Sequence, residues 1–293
     1  MDCTFASDNT SGVHPKVMET LNKANVGAAE PYGDDPWTAE AEGCFKALFG
    51  DDVDVFLVPL GTGANVLGFN RMIRSWHSIL CSDMAHTHTS ESGAVEAVVG
   101  CKMTPIPSVH GKISAGALSA YLTDMGSPHH SQPGLVALTQ STEVATVYTP
   151  EEIKAIVDVA HANGLFVHMD GARIANAAVA LGCDVRSFTK DLGVDMMSFG
   201  GTKNGMMMAE SVVVFNKDFV RDFVTLRKQN LQLALEPLIS FRIRKVYDCH
   251  ARLPHVPLPY RTVRTLQEIS AFHALVKHHG FLCNIRINPY TDL

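Results

Sequence analysis

The sequence predicts an α/β protein on a mostly parallel sheet, and three stretches carry that reading. Residues 54–60, "DVFLVPL", form an apolar strand that runs into Gly61-Thr62-Gly63-Ala64-Asn65 and then a helical pattern to about Arg74. Residues 151–163 place Ile153, Ile156, Val157 and Ala160 on one helix face, end at Gly164, and lead directly into the strand of "LFVHMDGAR". Residues 194–199 form a third apolar strand that stops at Gly200-Gly201, just before Lys203. Helices alternating with short buried strands are the pattern of a parallel sheet covered on both faces.

The remaining elements follow in order. "SDNT" at 7–10 is polar and precedes a helix in which Pro15 suits the first turn and Val17, Met18, Leu21 and Ala24 recur at helical spacing. Ser7 reads there as a helix-capping residue. "PYGDDPWT" at 31–38, which holds Tyr32, is a loop, and a second helix covers 39–49. The Gly61–Thr62–Gly63 turn lies between strand and helix, so free backbone N–H groups and the helix dipole favour an anion there, with the Thr62 hydroxyl as an added donor. Glycine turns before helices are common, and this one is neither a Walker motif nor a full dinucleotide fingerprint.

Residues 79–100 begin with a strand and continue into His86, His88 and Glu91. An imidazole can stack on a pyridine ring, whereas a metal would need a third ligand that no spacing supplies. His129 and His130 precede the strand at 135–139 and read either as a general base or as polar loop residues. A helix is expected over 174–181, strands over 194–199 and 211–215, and a basic amphipathic helix over 217–233 with Arg221, Arg227 and Lys228. Met206, Met207 and Met208 read as core residues. After about 235 the chain mixes Pro, Arg and His without clear period, with a short helix possible at 266–279.

Composition narrows the class. The 293 residues are 46% hydrophobic and 18% charged, as in a globular protein of one large domain or one plus a small one. The net charge of −6 offers no basic footprint for nucleic acid, and no apolar run is long enough to span a membrane. The opening "MDCTFASDNT" lacks a secretory pattern, and seven scattered cysteines suit a reducing cytoplasm. No metal site is expected.

The chemistry converges on two residues. Lys203, at a strand mouth behind two glycines, is placed to act as an amine nucleophile, although alone it also reads as an ordinary loop lysine. Asp170 ends a strand 33 positions earlier, with Arg173 close behind; a surface ion pair is the plain alternative. A pyridoxal phosphate (PLP) site needs a lysine for covalent attachment and a carboxylate on the pyridine nitrogen. Both would stand at the carboxyl edge of the sheet, where open α/β folds bind ligands.

Taken together, "SDNT", "YGDDP", "GTGAN", "AHTHTSESG", "LTQSTEVATVYT", "DGAR" and "SFGGTKNG", in this order, resemble the threonine aldolases of the PLP-dependent β-eliminating lyase family, fold type I. The resemblance runs from Ser7 to Leu233. It implies a seven-stranded, mostly parallel sheet between helices, and homodimers or homotetramers with shared sites. It implies Lys203 as the Schiff-base lysine, Asp170 on the pyridinium nitrogen, and Arg173 near the phenolic oxygen and the substrate carboxylate. It further implies His86 on the ring, Gly61, Thr62 and Gly63 on the phosphate, Ser7 on the substrate carboxylate, and His129 or its neighbour His130 at the β-hydroxyl. A basic residue near Arg227 and Lys228 would reach the phosphate of a neighbouring subunit.

The activity implied is retro-aldol cleavage of L-threonine or L-allo-threonine to glycine and an aldehyde. Beta-elimination, desulfuration or transamination on the same scaffold is the enzyme alternative. The division expected is a cofactor-binding domain at 1–233 and an atypical segment at 234–293. That segment does not resemble the family's small domain, as a truncated, frame-shifted or alternatively spliced end would not. A PLP-binding variant with impaired turnover is therefore the further alternative.

Overall fold

The apolar segments pair into one seven-stranded sheet in the computed structural model, which describes residues 7–10 and 12–234. In chain order the strands are β1 (Asp54–Val58), β2 (His77–Ser82), β3 (Lys102–Ile106), β4 (Gln132–Thr139), β5 (Phe166–Gly171), β6 (Met196–Gly200) and β7 (Glu210–Val214). Their spatial order is β1-β7-β6-β5-β4-β2-β3. Every pairing is parallel except those that β7 makes with β1 and β6. Six strands therefore end at one edge, and the reversed β7 begins there. The expected short helix at 266–279, the arginines Arg242, Arg244, Arg252, Arg261 and Arg264, and the segment after Ala234 lie outside the described residues.

Helices α1 (Pro15–Ala24), α2 (Pro36–Phe49), α3 (Gly61–Met72), α4 (His86–Thr89), α5 (Ala94–Val99), α6 (Ala115–Ser119), α7 (Pro150–Ala162), α8 (Ile174–Leu181) and α9 (Phe223–Gln229) surround the sheet. One apolar cluster packs Phe45 and Phe49 of α2, Ile153, Ile156 and Val157 of α7 and Ala177 of α8 on the sheet. A second packs Leu67 and Phe69 of α3, Val95 and Val99 of α5 and Phe223 of α9 on the other face. The strands alternate accordingly. Val136 and Leu138 of β4 join the first cluster, and Leu135 and Ala137 join the second.

Caps explain where the longer helices start. Asp35 Oδ1 accepts the Thr38 N–H at 2.9 Å with Pro36 in the first turn. Thr149 and Glu152 form a reciprocal capping box ahead of α7. One expectation is corrected here and one strand is added. The helix expected over 217–233 is a short turn at Lys217–Phe219 and then α9, because Asp222 adopts a left-handed conformation (φ 61°) between them. Strand β3 escaped the sequence reading because "KMTPI" holds a proline and no clear alternation; as an edge strand it tolerates Pro105.

The ends of β5 and β6 approach very closely. A Cβ on Gly200 would lie 2.6 Å from the Ala172 carbonyl oxygen and 2.7 Å from its Cα, and one on Gly171 would lie 2.6 Å from the Ser198 carbonyl oxygen. Backbone cannot yield here without parting the two strands. Gly200→Ala should therefore destabilise the fold by about 1–3 kcal/mol, the usual cost of overpacking, read as a lower denaturation midpoint in urea.

Candidate active site

The carboxyl edge of the sheet collects the polar residues that the flanking strands cannot bury elsewhere. Asp170 is the fifth residue of β5, with its Cα opposite Thr139 of β4 and Ser198 of β6. Alternation turns it to the α3 face, as it does His168 two residues earlier. The Asp170 carboxylate accepts the Ala172 N–H on Oδ1 at 2.9 Å and the Asn65 amide on Oδ2 at 3.0 Å.

Asn65 is the hub of the buried polar network. Its Nδ2 also donates to Glu91 Oε1 at 3.4 Å, and its Oδ1 accepts from the Ser198 hydroxyl at 2.6 Å. Ser198 Oγ lies 3.3 Å from His168 Nε2. His168 is fully buried, and burial pushes its imidazole down to about 4, with Asp170 pulling partly back. Glu91 Oε1 meets His86 Nδ1 at 3.1 Å. The His86 backbone N–H donates to Glu143 Oε1 at 2.8 Å, and so does the Thr139 hydroxyl at 3.0 Å. Burial holds the Glu143 carboxyl above the ordinary glutamate range.

Lys203 lies in the 3-10 turn Thr202–Asn204, between Gly201 and the left-handed Gly205 (φ 87°). The turn is fastened on both sides: Gly201 N–H donates to the Ala209 carbonyl at 2.8 Å, and His14 N–H to the Gly205 carbonyl at 2.9 Å. Gly61, Thr62 and Gly63 form the first turn of α3, and Leu60 before them provides no side-chain cap. Their N–H groups are left for an outside acceptor. A Cβ on Gly63 would stand 2.3 Å from the Gln232 amide, whose Oε1 is a buried acceptor with no partner. The turn therefore has room for a polar group, now filled by a neutral amide. With the Asp170 carboxylate and the Lys203 amine on the same edge, these residues fit a phosphorylated pyridine aldehyde.

Arg173 stands at the start of α8 and forms a two-point pair with Asp8, Nε to Oδ2 and Nη2 to Oδ1, the latter at 3.0 Å. The guanidinium thus already holds a carboxylate. Ser7 Oγ accepts the Asn9 N–H at 3.2 Å and caps the turn that carries Asp8. Lys203, Asp170, Arg173, His86, Gly61, Thr62, Gly63 and Ser7 all belong to elements at or next to this edge.

Three other sequence expectations fall elsewhere within one chain. His129 and His130 are exposed and precede Gln132, the first residue of β4. They stand at the amino end of a strand whose other end pairs with Asp170, about 23 Å along it. Within one chain they therefore open on the edge of the sheet opposite to Asp170. Arg227 does not present a basic face: its Nη1 donates to the Leu57 carbonyl at 3.2 Å and its guanidinium lies over Phe56. Met207 and Met208 are exposed, and only Met206 is buried. Asn65, Glu91, Glu143, Glu210 and Asp8 carry site contacts to which the sequence reading gave no role there. Among the described residues no group of three His, Cys, Asp or Glu side chains could hold a metal ion, and no helix is long and apolar enough to cross a membrane.

Comparison with known proteins gives the family. The family model described as beta-eliminating lyase matches residues 4–232. A low specificity L-threonine aldolase from Pseudomonas sp. is 42% identical over 231 residues, covering 78% of this chain and 67% of its own. One from Saccharomyces cerevisiae is 29% identical over 226 residues, covering 76% and 57%. The solved structure of Leishmania major threonine aldolase superposes with a TM-score of 0.78 at 28% identity, over 84% of this chain and 74% of that one.

The buried imidazole sets a pH signature. His168 refuses a proton until about pH 4, whereas the unfolded chain takes it up near 6.5. Its contribution to stability is thus whole above 6.5 and is lost as the pH falls toward 4. His168→Asn should flatten the acid limb of a stability-versus-pH curve in that window by a few kcal/mol, measured by urea unfolding. An unchanged limb would mean that the imidazole is already charged in the fold.

Proposed function

Because the chain belongs to the beta-eliminating lyase family, we propose that it is a PLP-dependent lyase. It cleaves β-hydroxy-α-amino acids such as L-threonine to glycine and an aldehyde. The observation that carries this reading is the pairing of Arg173 with a carboxylate beside the turn of Lys203. An α-amino acid needs both: a guanidinium for its carboxylate and an attachment point for the group that activates its Cα.

Bound PLP supplies an electron sink for the pair released when the Cα–Cβ bond breaks. Lys203 would be its attachment point, and the Asp170 carboxylate would pair with the ring nitrogen. Asn65 and the Ala172 N–H keep that carboxylate in one orientation. The N–H groups of Gly61, Thr62 and Gly63 would take the phosphate with the Thr62 hydroxyl. His86 would lie against the ring. Arg173 takes the substrate carboxylate with Ser7 beside it, while Asp8 fixes the guanidinium plane. A proton on His86 Nδ1 facing Glu91 leaves Nε2 as the acceptor for the β-hydroxyl proton.

Shared sites are part of the proposal. His129 and His130 join a site only if a second copy of the chain brings them, and Lys228, which lies over Tyr32 at the surface, is placed for the same use. Residues 1–233 make up the cofactor-binding domain in this reading, with 234–293 outside it. The buried thiols of Cys81 and Cys101, which join no disulfide among the described residues, suit a reducing cytoplasm.

Product analysis separates the rivals. L-Threonine should yield acetaldehyde and glycine; 2-oxobutyrate with ammonia would mean elimination, and amino transfer to an oxo acid would mean transamination. A lysine-linked cofactor band without turnover would mark an impaired variant. Lys203→Ala should abolish both the covalent cofactor and cleavage, and a cofactor–lysine adduct trapped by borohydride in that variant would place the attachment elsewhere. Asp170→Asn should still bind cofactor yet lower kcat about 100-fold or more, the loss of about 3 kcal/mol of transition-state stabilisation. Near-normal kcat would reduce Asp170 to a structural role.

A further inference from the structure

Among the described residues, Glu210 opens the one strand that runs against the others. The reversal of β7 brings its first residue to the edge where β1 and β6 end, with its Cα opposite Val58 and Gly200. The residue is only 8% exposed. Its Oε1 accepts the Thr202 N–H at 3.2 Å, one residue from Lys203. Its Oε2 would be 3.6 Å from a Cβ on Gly61, the first residue of α3. The carboxyl is thus wedged between the lysine turn and the phosphate turn.

That position conflicts with the anion which the α3 turn would hold. A carboxylate at this distance repels a phosphate dianion in a site shielded from water, and one ammonium cannot balance both. We propose that Glu210 is a proton-holding positioning residue of the cofactor site, which takes a proton from solvent when a phosphate group settles at Gly61–Gly63. Nothing is oxidised or reduced; one O–H bond forms on the carboxyl, and the neutral acid keeps an oxygen for the Thr202 N–H. The inference rests on the PLP reading given above.

The electrostatics of the free site agree. Burial pushes the Glu210 carboxyl up to about 7 against the hydrogen bonds of Thr202. Two charged groups face it: the Lys203 ammonium favours its ionised form, and Asp170 on β5 opposes it. Near neutral pH the group is balanced between its two states, and a nearby anion tips it to the neutral one.

Calorimetric titration with PLP in two buffers of different ionisation enthalpy tests this, with the visible absorption band recording cofactor capture independently. Glu210→Gln retains an acceptor for Thr202 but cannot titrate. At pH 8, where the PLP phosphate is already a dianion, the wild-type chain should take up about one proton more than Glu210→Gln; at pH 6 the difference should approach zero. Glu210→Ser should match Glu210→Gln, which separates the charge effect from any packing change. Equal proton uptake by all three chains at both pH values, with the cofactor band present, would overturn the role of Glu210. Absence of both heat and band from the wild-type chain would overturn the PLP reading itself, and the Glu210 role with it.

Discussion

A single carboxamide ties the helix that follows β1 to the two strands that carry the chemistry. Asn65 gives its two amide hydrogens to Asp170 and Glu91, and takes one from Ser198. An amide is suited to this position because it offers donors to acids and an acceptor to a hydroxyl at once. A carboxylate there would add a third acid to the cluster, and an apolar residue would strip Asp170 Oδ2 of its amide donor while Glu91 and Ser198 kept only their histidine partners. The orientation of Asp170 depends on this bond, and so does the distance between the α3 N-terminus and β5.

The site concentrates acid. Asp170, Glu91, Glu143 and Glu210 are all shielded from solvent at one edge, and burial raises the last two carboxyls. Each Oε2 of Glu91 and Glu143 is buried without a partner. Buried acids of this kind are stabilised by a ligand that brings donors or a positive ring. This fits a site shaped for a charged guest more than for its own stability.

Much of this edge was legible from local patterns. Glycines before Lys203, an aspartate at a strand end and a glycine turn ahead of a helix each announce themselves within about ten residues. The network around them does not, because its partners are distant in sequence: 26 positions from Asn65 to Glu91, 105 to Asp170 and 133 to Ser198. Glu210, just ahead of the strand expected over 211–215, carries no signal of its own, since only the reversed direction of β7 sends it to the site. The two histidines before β4 lie away from Asp170 within one chain for the complementary reason. Composition marks the mouth of a strand without saying which edge of the sheet it opens on. The helix over 217–233 kept its helical spacing, but Asp222 broke it through a backbone angle that no periodicity reports.

The clasp between Asp8 and Arg173 joins residues 165 positions apart. Its partners have no shared element to bring them together, so the clasp forms only once the sheet between them has assembled. On the ribosome, the turn at Asp8–Thr10 emerges long before its anchor exists. Order at the Arg173 guanidinium is therefore acquired late, after the sheet. Such an arrangement lets the molecule carry a finished sheet with an unfinished mouth, so that maturity of the scaffold and maturity of the pocket are separate events.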